Sequence, residues 1–141
     1  MTMLSELQFT EARKEFSSLY DEVYHSYKPV IIKRKQSEEI VLLRPDLQKM
    51  LLTGYSLNPE VLHETDGSIT LSLDQLEIYV NEGSKENAVQ ALISDLKAYA
   101  VDYMNRSALF LNAPNRAGHF PYVLRILLCN DNNEIRGLLE L

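Results

Sequence analysis

Ala12, Phe16, Leu19, Tyr20, Val23 and Tyr27 recur at spacings of four, three, one, three and four. That period places them on one face of a helix, with Arg13, Lys14, Ser17 and Asp21 off it. Thr10 fits the N-cap, and Glu11 sits in the first turn, where the helix dipole favours an anion. Residues 7–9 read as a short leading strand. Pro29 ends the helical pattern. Val30, Ile31 and Ile32 are consecutive and β-branched, which predicts a strand buried on both faces. Residues 34–39 form a polar turn, and residues 40–43 form the return strand. Pro45 suits the start of a helix whose stripe is Leu47, Met50 and Leu51, closed by Thr53 and Gly54.

The second part carries its own pattern. Asp66-Gly67 separates the runs 61–65 and 68–73 and reads as a two-residue type I′ hairpin. Ile69, Leu71 and Leu73 alternate with Ser and Thr, so one face of that strand is buried. Leu76, Ile78 and Val80 predict a third strand. Ser84 caps a long helix with the stripe Val89, Leu92, Ile93, Leu96, Ala100 and Tyr103. Residues 112–122, rich in Pro, Gly and Asn, read as a loop. Residues 122–128 look helical, and Asn130 or Asp131 caps a last helix through Ile135, Leu138 and Leu139. The expected class is α+β in two units. Residues 1–54 give a short strand, helix, β-hairpin and helix; residues 55–141 give a small antiparallel sheet with a long helix and C-terminal helices.

Composition fits a soluble globular chain: 45% of 141 residues are hydrophobic and 24% charged. The net charge of −6 is unevenly placed. Residues 1–50 hold eight Lys/Arg against eight Asp/Glu; the rest hold six against twelve. Lys28, Lys33, Arg34 and Lys35 stand together without an intervening acid. An acidic total does not forbid nucleic-acid binding, because phosphates feel the local potential within about 8–10 Å. Cys129 is the single cysteine, which excludes an intrachain disulfide and a cysteine metal cluster and reads as a buried structural thiol. His25, His63 and His119 show no metal spacing, and no Gly-rich phosphate loop is present, so no cofactor is expected. The start of the chain lacks a signal-like apolar run, and no run approaches a membrane span, so a cytoplasmic protein is expected.

The order Thr10-Glu11-Ala12-Arg13, Leu19, then residues 29–34 (PVIIKR), residues 39–43 (EIVLL) and a short helix resembles the Phd/YefM antitoxin family over residues 5–53. The chain departs from it in the turn, where Lys35-Gln36-Ser37 stands in place of the frequent glycine. Residues 66–99 resemble the hairpin-plus-helix module of HicB-type antitoxins. With residues 112–122 (NAPNRAGHFPY), nearly the whole chain is similar to longer RelB-like antitoxins. The resemblance implies a dimer that binds the operator DNA of its own operon and neutralises a RelE-like, RNA-cleaving toxin. By position it implies DNA contacts from Arg13 and Arg34.

The residues themselves place Thr10, Lys14, Lys33 and Lys35 beside those two arginines, although lone surface cations are commonly solvated charges or guards of a strand edge. A unit of about 50 residues is marginal alone, so Val30, Ile31 and Ile32 are expected at a two-fold dimer interface. Asn115, Arg116, His119, Phe120 and Tyr122 in the loop, with Leu138 and Leu139 near the terminus, are candidate partner contacts. Two alternatives stay open: an oligomeric interaction module that does not bind DNA, and an enzyme using Asn115, Arg116 and His119 on phosphate.

Overall fold

The computed structural model describes residues 3–141, and the chain divides into two compact units, with the boundary between Leu51 and Leu52. The class is α+β throughout. Among the described residues, no helix is long and apolar enough to cross a membrane.

The first unit runs β1 (Ser5–Gln8), α1 (Phe9–Lys14), α2 (Phe16–His25), β2 (Val30–Arg34), β3 (Glu38–Leu42) and α3 (Pro45–Leu51). Its sheet has the order β1-β2-β3, with β1 parallel to β2 and β2 antiparallel to β3. Gln8 is the last paired residue of β1, opposite Lys33, and the helix begins at the next residue. The cap position is therefore Gln8, which offers no side-chain cap; Thr10, expected to cap, lies exposed in the first turn. The strand passes into the helix with no loop to hold a capping residue.

The expected single helix is two. Glu15, at φ −111° and ψ 33°, interrupts it. Ala12 and Leu19 stay buried and form the small core with Val30, while Phe16, Tyr20 and Tyr24 face solvent. The helix stops at His25, and Tyr27, expected on its stripe, takes the left-handed conformation at φ 57°. Arg44 holds that ending. Its guanidinium lies 4.1 Å from the Tyr27 ring centre and 4.4 Å from that of Tyr24, and it donates to the Tyr24 carbonyl at 2.6 Å.

Val30 and Ile31 are buried by their own chain, because β1 makes β2 the central strand. Ile32, the third residue expected at a dimer interface, is half-buried. The exposed apolar residues of the hairpin are Ile40 and Val41 on the edge strand β3. At the tip, Lys35 (φ 55°) and Gln36 (φ 64°) both take the left-handed region that glycine would enter without strain.

The second unit runs β4 (Glu60–His63), β5 (Ile69–Leu73), β6 (Ile78–Glu82), α4 (Lys85–Asn105), α5 (Ser107–Leu111), a 3-10 turn (Ala117–His119), α6 (Phe120–Leu127) and α7 (Asn132–Leu139). The sheet is an antiparallel meander in the order β4-β5-β6. The first turn differs from expectation. Gly67 N–H donates to the Glu64 carbonyl at 3.0 Å, the Glu64 N–H donates to Ser68, and only Gly67 has positive φ, 86°. That is a type I turn followed by a left-handed glycine, the longer hairpin loop. Asp66 drives it by accepting from the Ser68 N–H at 2.9 Å.

The α4 stripe falls as its period predicts: Val89, Leu92, Ile93, Leu96, Ala100 and Tyr103 are all buried. They meet Leu71, Leu73 and Leu76 from the sheet side and Val123, Ile126 and Leu139 from the later helices. Ser84 caps α4 by accepting from the Asn87 N–H, and Asp131 caps α7 by accepting from the Glu134 N–H. Arg136 on α7 binds both oxygens of Glu86 on α4, at 2.8 and 2.9 Å.

Candidate functional site

The cations singled out in the sequence meet different fates. Thr10, Arg13 and Lys14 are exposed and line one shallow surface of α1. Because β1 and β2 run parallel, the end of β2 lies beside the start of α1. Arg34 accordingly rests over the Phe9 ring, its guanidinium carbon 4.7 Å from the ring centre. The two share an open concavity with Ile32, Ser37, Glu38, Glu39 and Ile40. The strand-end arginine thus stands at the first residue of the helix that bears Arg13 and Lys14. Lys35 projects from the hairpin tip. Arg13, Lys14, Arg34 and Lys35 form no ion pair among the described residues.

Lys33 is different. Its ammonium lies 3.2 Å from Glu6 and 3.3 Å from Glu39, one acid from each flanking strand. Hydrogen bonding to Glu6, then to Glu39, raises its pKa above the ordinary lysine value. Two carboxylates outweigh its single positive charge, and Lys33 braces the sheet. The register shows why: Lys33 pairs with Gln8 on one side and Glu39 on the other. The β1 pairing was invisible to periodicity.

The loop candidates fold inward. Arg116 Nη1 donates to the Tyr99 hydroxyl at 3.1 Å, and that hydroxyl meets His119 Nδ1 at 2.6 Å. The Tyr99 hydroxyl, which accepts from Arg116, still has both a proton to donate and a second lone pair for His119 Nδ1, so the short contact serves either imidazole tautomer. Tyr103 donates to the Arg116 carbonyl at 2.8 Å. His119 is buried, and burial, then the charge of Arg116, lowers its pKa, with Glu77 opposing. Phe120 packs at a tilt toward Tyr103, and Tyr122 stands edge-on to Tyr55. Leu139 is in the core and Leu138 is half-buried against it. Of the candidate partner contacts only Asn115 is exposed. Tyr99 and Tyr103, which organise this loop, carried a faint signal: two tyrosines four apart on one helix. Arg44 gave none.

A family model described as PHD-like, "Antitoxin of toxin-antitoxin, RelE / RelB, TA system", matches residues 3–141. The chain belongs to this antitoxin family. The antitoxin is also similar in structure to the antitoxin part of a proposed toxin/antitoxin system from Syntrophomonas wolfei subsp. wolfei. The TM-score is 0.86 at 34% sequence identity, over 96% of each chain. Curated proteins gave no match.

Proposed function

We propose that this antitoxin binds the operator DNA of its own operon as a dimer, represses that operon, and neutralises a RelE-like toxin through its acidic second unit. The observation that carries the DNA reading is Arg34 on Phe9, which brings unpaired cations from a helix and a hairpin together in a unit whose cations and acids are equal in number. Phosphates respond to that local excess. Dimerisation is favoured by the exposed stripe Phe16, Tyr20 and Tyr24 on α2 and by Ile40 and Val41 on the edge strand. A unit this small, with so much apolar surface uncovered, fits an obligate partner of its own kind. The role is binding rather than catalysis, since Arg116 and His119 are spent on holding their own loop. Operator DNA and an RNA-cleaving toxin both place the protein in the cytoplasm.

The test is binding to the DNA upstream of its own gene, followed by fluorescence anisotropy at about 0.15 M salt. Replacing Arg13 and Arg34 together by Ala should lower affinity by about tenfold or more, as expected when a few phosphate or base interactions are removed, without changing the mass measured by light scattering. Unchanged affinity would remove the DNA surface from the reading.

A further inference from the structure

The net charge of the chain has one address. Residues 52–84, the segment of the three strands and their turns, hold Glu60, Glu64, Asp66, Asp74, Glu77 and Glu82 and no lysine or arginine. Residues 85–141 hold six acids and six cations, so they cancel. None of the six sheet-segment acids forms an ion pair among the described residues.

The strand register shows which side of the sheet is open. Val61, Leu71 and Val80 pair across the strands and pack in the core. The alternate rows, Glu60–Ser72–Tyr79 and Leu62–Thr70–Asn81, therefore point away from the core; Glu60, Leu62, Tyr79 and Asn81 on the flanking strands are exposed, while Ser72 on the central strand is buried. On that outward face Tyr79 is 58% exposed and Leu62 38%. The polar residues around them are fixed. Asn81 donates to Ser68 Oγ at 3.0 Å and to Thr70 Oγ1 at 2.8 Å. Ser72 donates to Asp74 at 2.8 Å, and Ser68 donates to Asp66. The face is thus preorganised, with an exposed aromatic ring and a leucine on it and a held carboxylate near each end of β5.

We infer that the outward face of the β4-β5-β6 sheet is the docking surface for the toxin, and that its occupant is a lysine- or arginine-bearing segment laid across Leu62 and Tyr79. This rests on the neutralising role proposed above and gives it a location. A protein that cleaves RNA must present cations to phosphates, and those cations meet here Glu60 on the face and Asp66 and Asp74 beyond the two ends of β5, in a segment that holds no lysine or arginine. Complementary potentials of this kind speed encounter and set orientation, while the aromatic ring supplies the buried anchor. The exposed apolar residues of the first unit lack this charge bias, which suits them to a second copy of the chain and not to a cationic partner.

The probe is the toxin protein encoded beside this gene, titrated against the full-length antitoxin by calorimetry at about 0.15 M salt. The double variant Glu60→Lys, Tyr79→Ala should weaken toxin binding by about 30-fold or more. Asp95→Lys, an equal charge change at an exposed position of α4, should alter it less than about threefold, and operator binding should stay at the wild-type value in both. Should the double variant melt early, Leu62→Lys, outside the core, reads the same face and carries the same expectation. Wild-type affinity in the face variants, with the toxin bound normally by the parent, would overturn this surface and leave the neutralising role standing. Failure of the parent itself to bind the toxin would overturn both.

Discussion

The Arg34 guanidinium lies over the Phe9 ring, joining the end of a hairpin strand to the first residue of the helix that carries Arg13. The ring is a platform that holds a flexible cation in place. Phe9→Ala should therefore weaken operator binding by about two- to fivefold, the size of an exposed cation–π interaction. Arg34→Ala should also flatten the plot of log affinity against log salt by about 0.9 for each phosphate that the guanidinium neutralises. Lys33→Ala should leave that slope unchanged, because Glu6 and Glu39 already neutralise the ammonium. Salt-dependent anisotropy on the three variants checks all of this; a slope change for Lys33→Ala would return that residue to the DNA surface.

The hairpin tip stores strain. Lys35 and Gln36 both sit at positive φ, which costs an L-residue with a Cβ about 1 kcal/mol each. Gln36→Gly should raise stability by up to about 1 kcal/mol in denaturant unfolding, the relief being partly offset by the greater freedom of glycine when unfolded. A loss of stability would show that the Gln36 side chain holds the turn.

Acid should loosen the loop ahead of α6. His119 is buried and lies close to Arg116, so folding lowers its pKa below the unfolded value. The unfolded state then binds more protons as pH falls, and this contribution is complete above about pH 6.5 and is lost through the folded pKa below it. Thermal midpoints measured from pH 7.5 down to 5 should fall more for the parent than for His119→Gln, whose amide does not titrate in that range. Equal slopes would remove His119 from the pH response.

The pair Arg136–Glu86 ties the last helix to the start of α4. The Arg136 hydrogen bonds, then that from Gln90, lower the Glu86 pKa to about 2. A carboxylate with a depressed folded pKa stabilises above its unfolded value, about 4.3, and loses that effect as pH falls toward 2. Arg136→Ala should raise amide exchange in residues 132–139 and leave operator binding unchanged. Unaltered exchange would mean that Leu139 and Ile135 hold α7 by packing alone.

The second unit was legible because its signals are local. Ser84 begins α4, and a stripe of period 3.6 runs to Tyr103 as expected. Asp66-Gly67 marks a turn, and its type differs from the two-residue expectation because the Asp66–Ser68 bond selects a longer loop. The first unit was harder, for reasons of pairing. The parallel ladder between β1 and β2 removes Thr10 from the cap, buries Val30 and Ile31, and gives Lys33 a second carboxylate. Periodicity cannot see a parallel partner some 25 residues away in sequence. The interruption at Glu15 likewise keeps Ala12 and Leu19 on the core while turning Phe16 outward. Arg116 and His119 looked like loop chemistry because their partners, Tyr99 and Tyr103, lie one helix earlier.

Growth of cells that produce the neighbouring toxin, with and without this chain, is the most direct measure of the central claim. Toxin alone should arrest growth, and co-expression of the full antitoxin should restore the uninduced rate. Persistent arrest in the presence of folded, abundant antitoxin would contradict neutralisation.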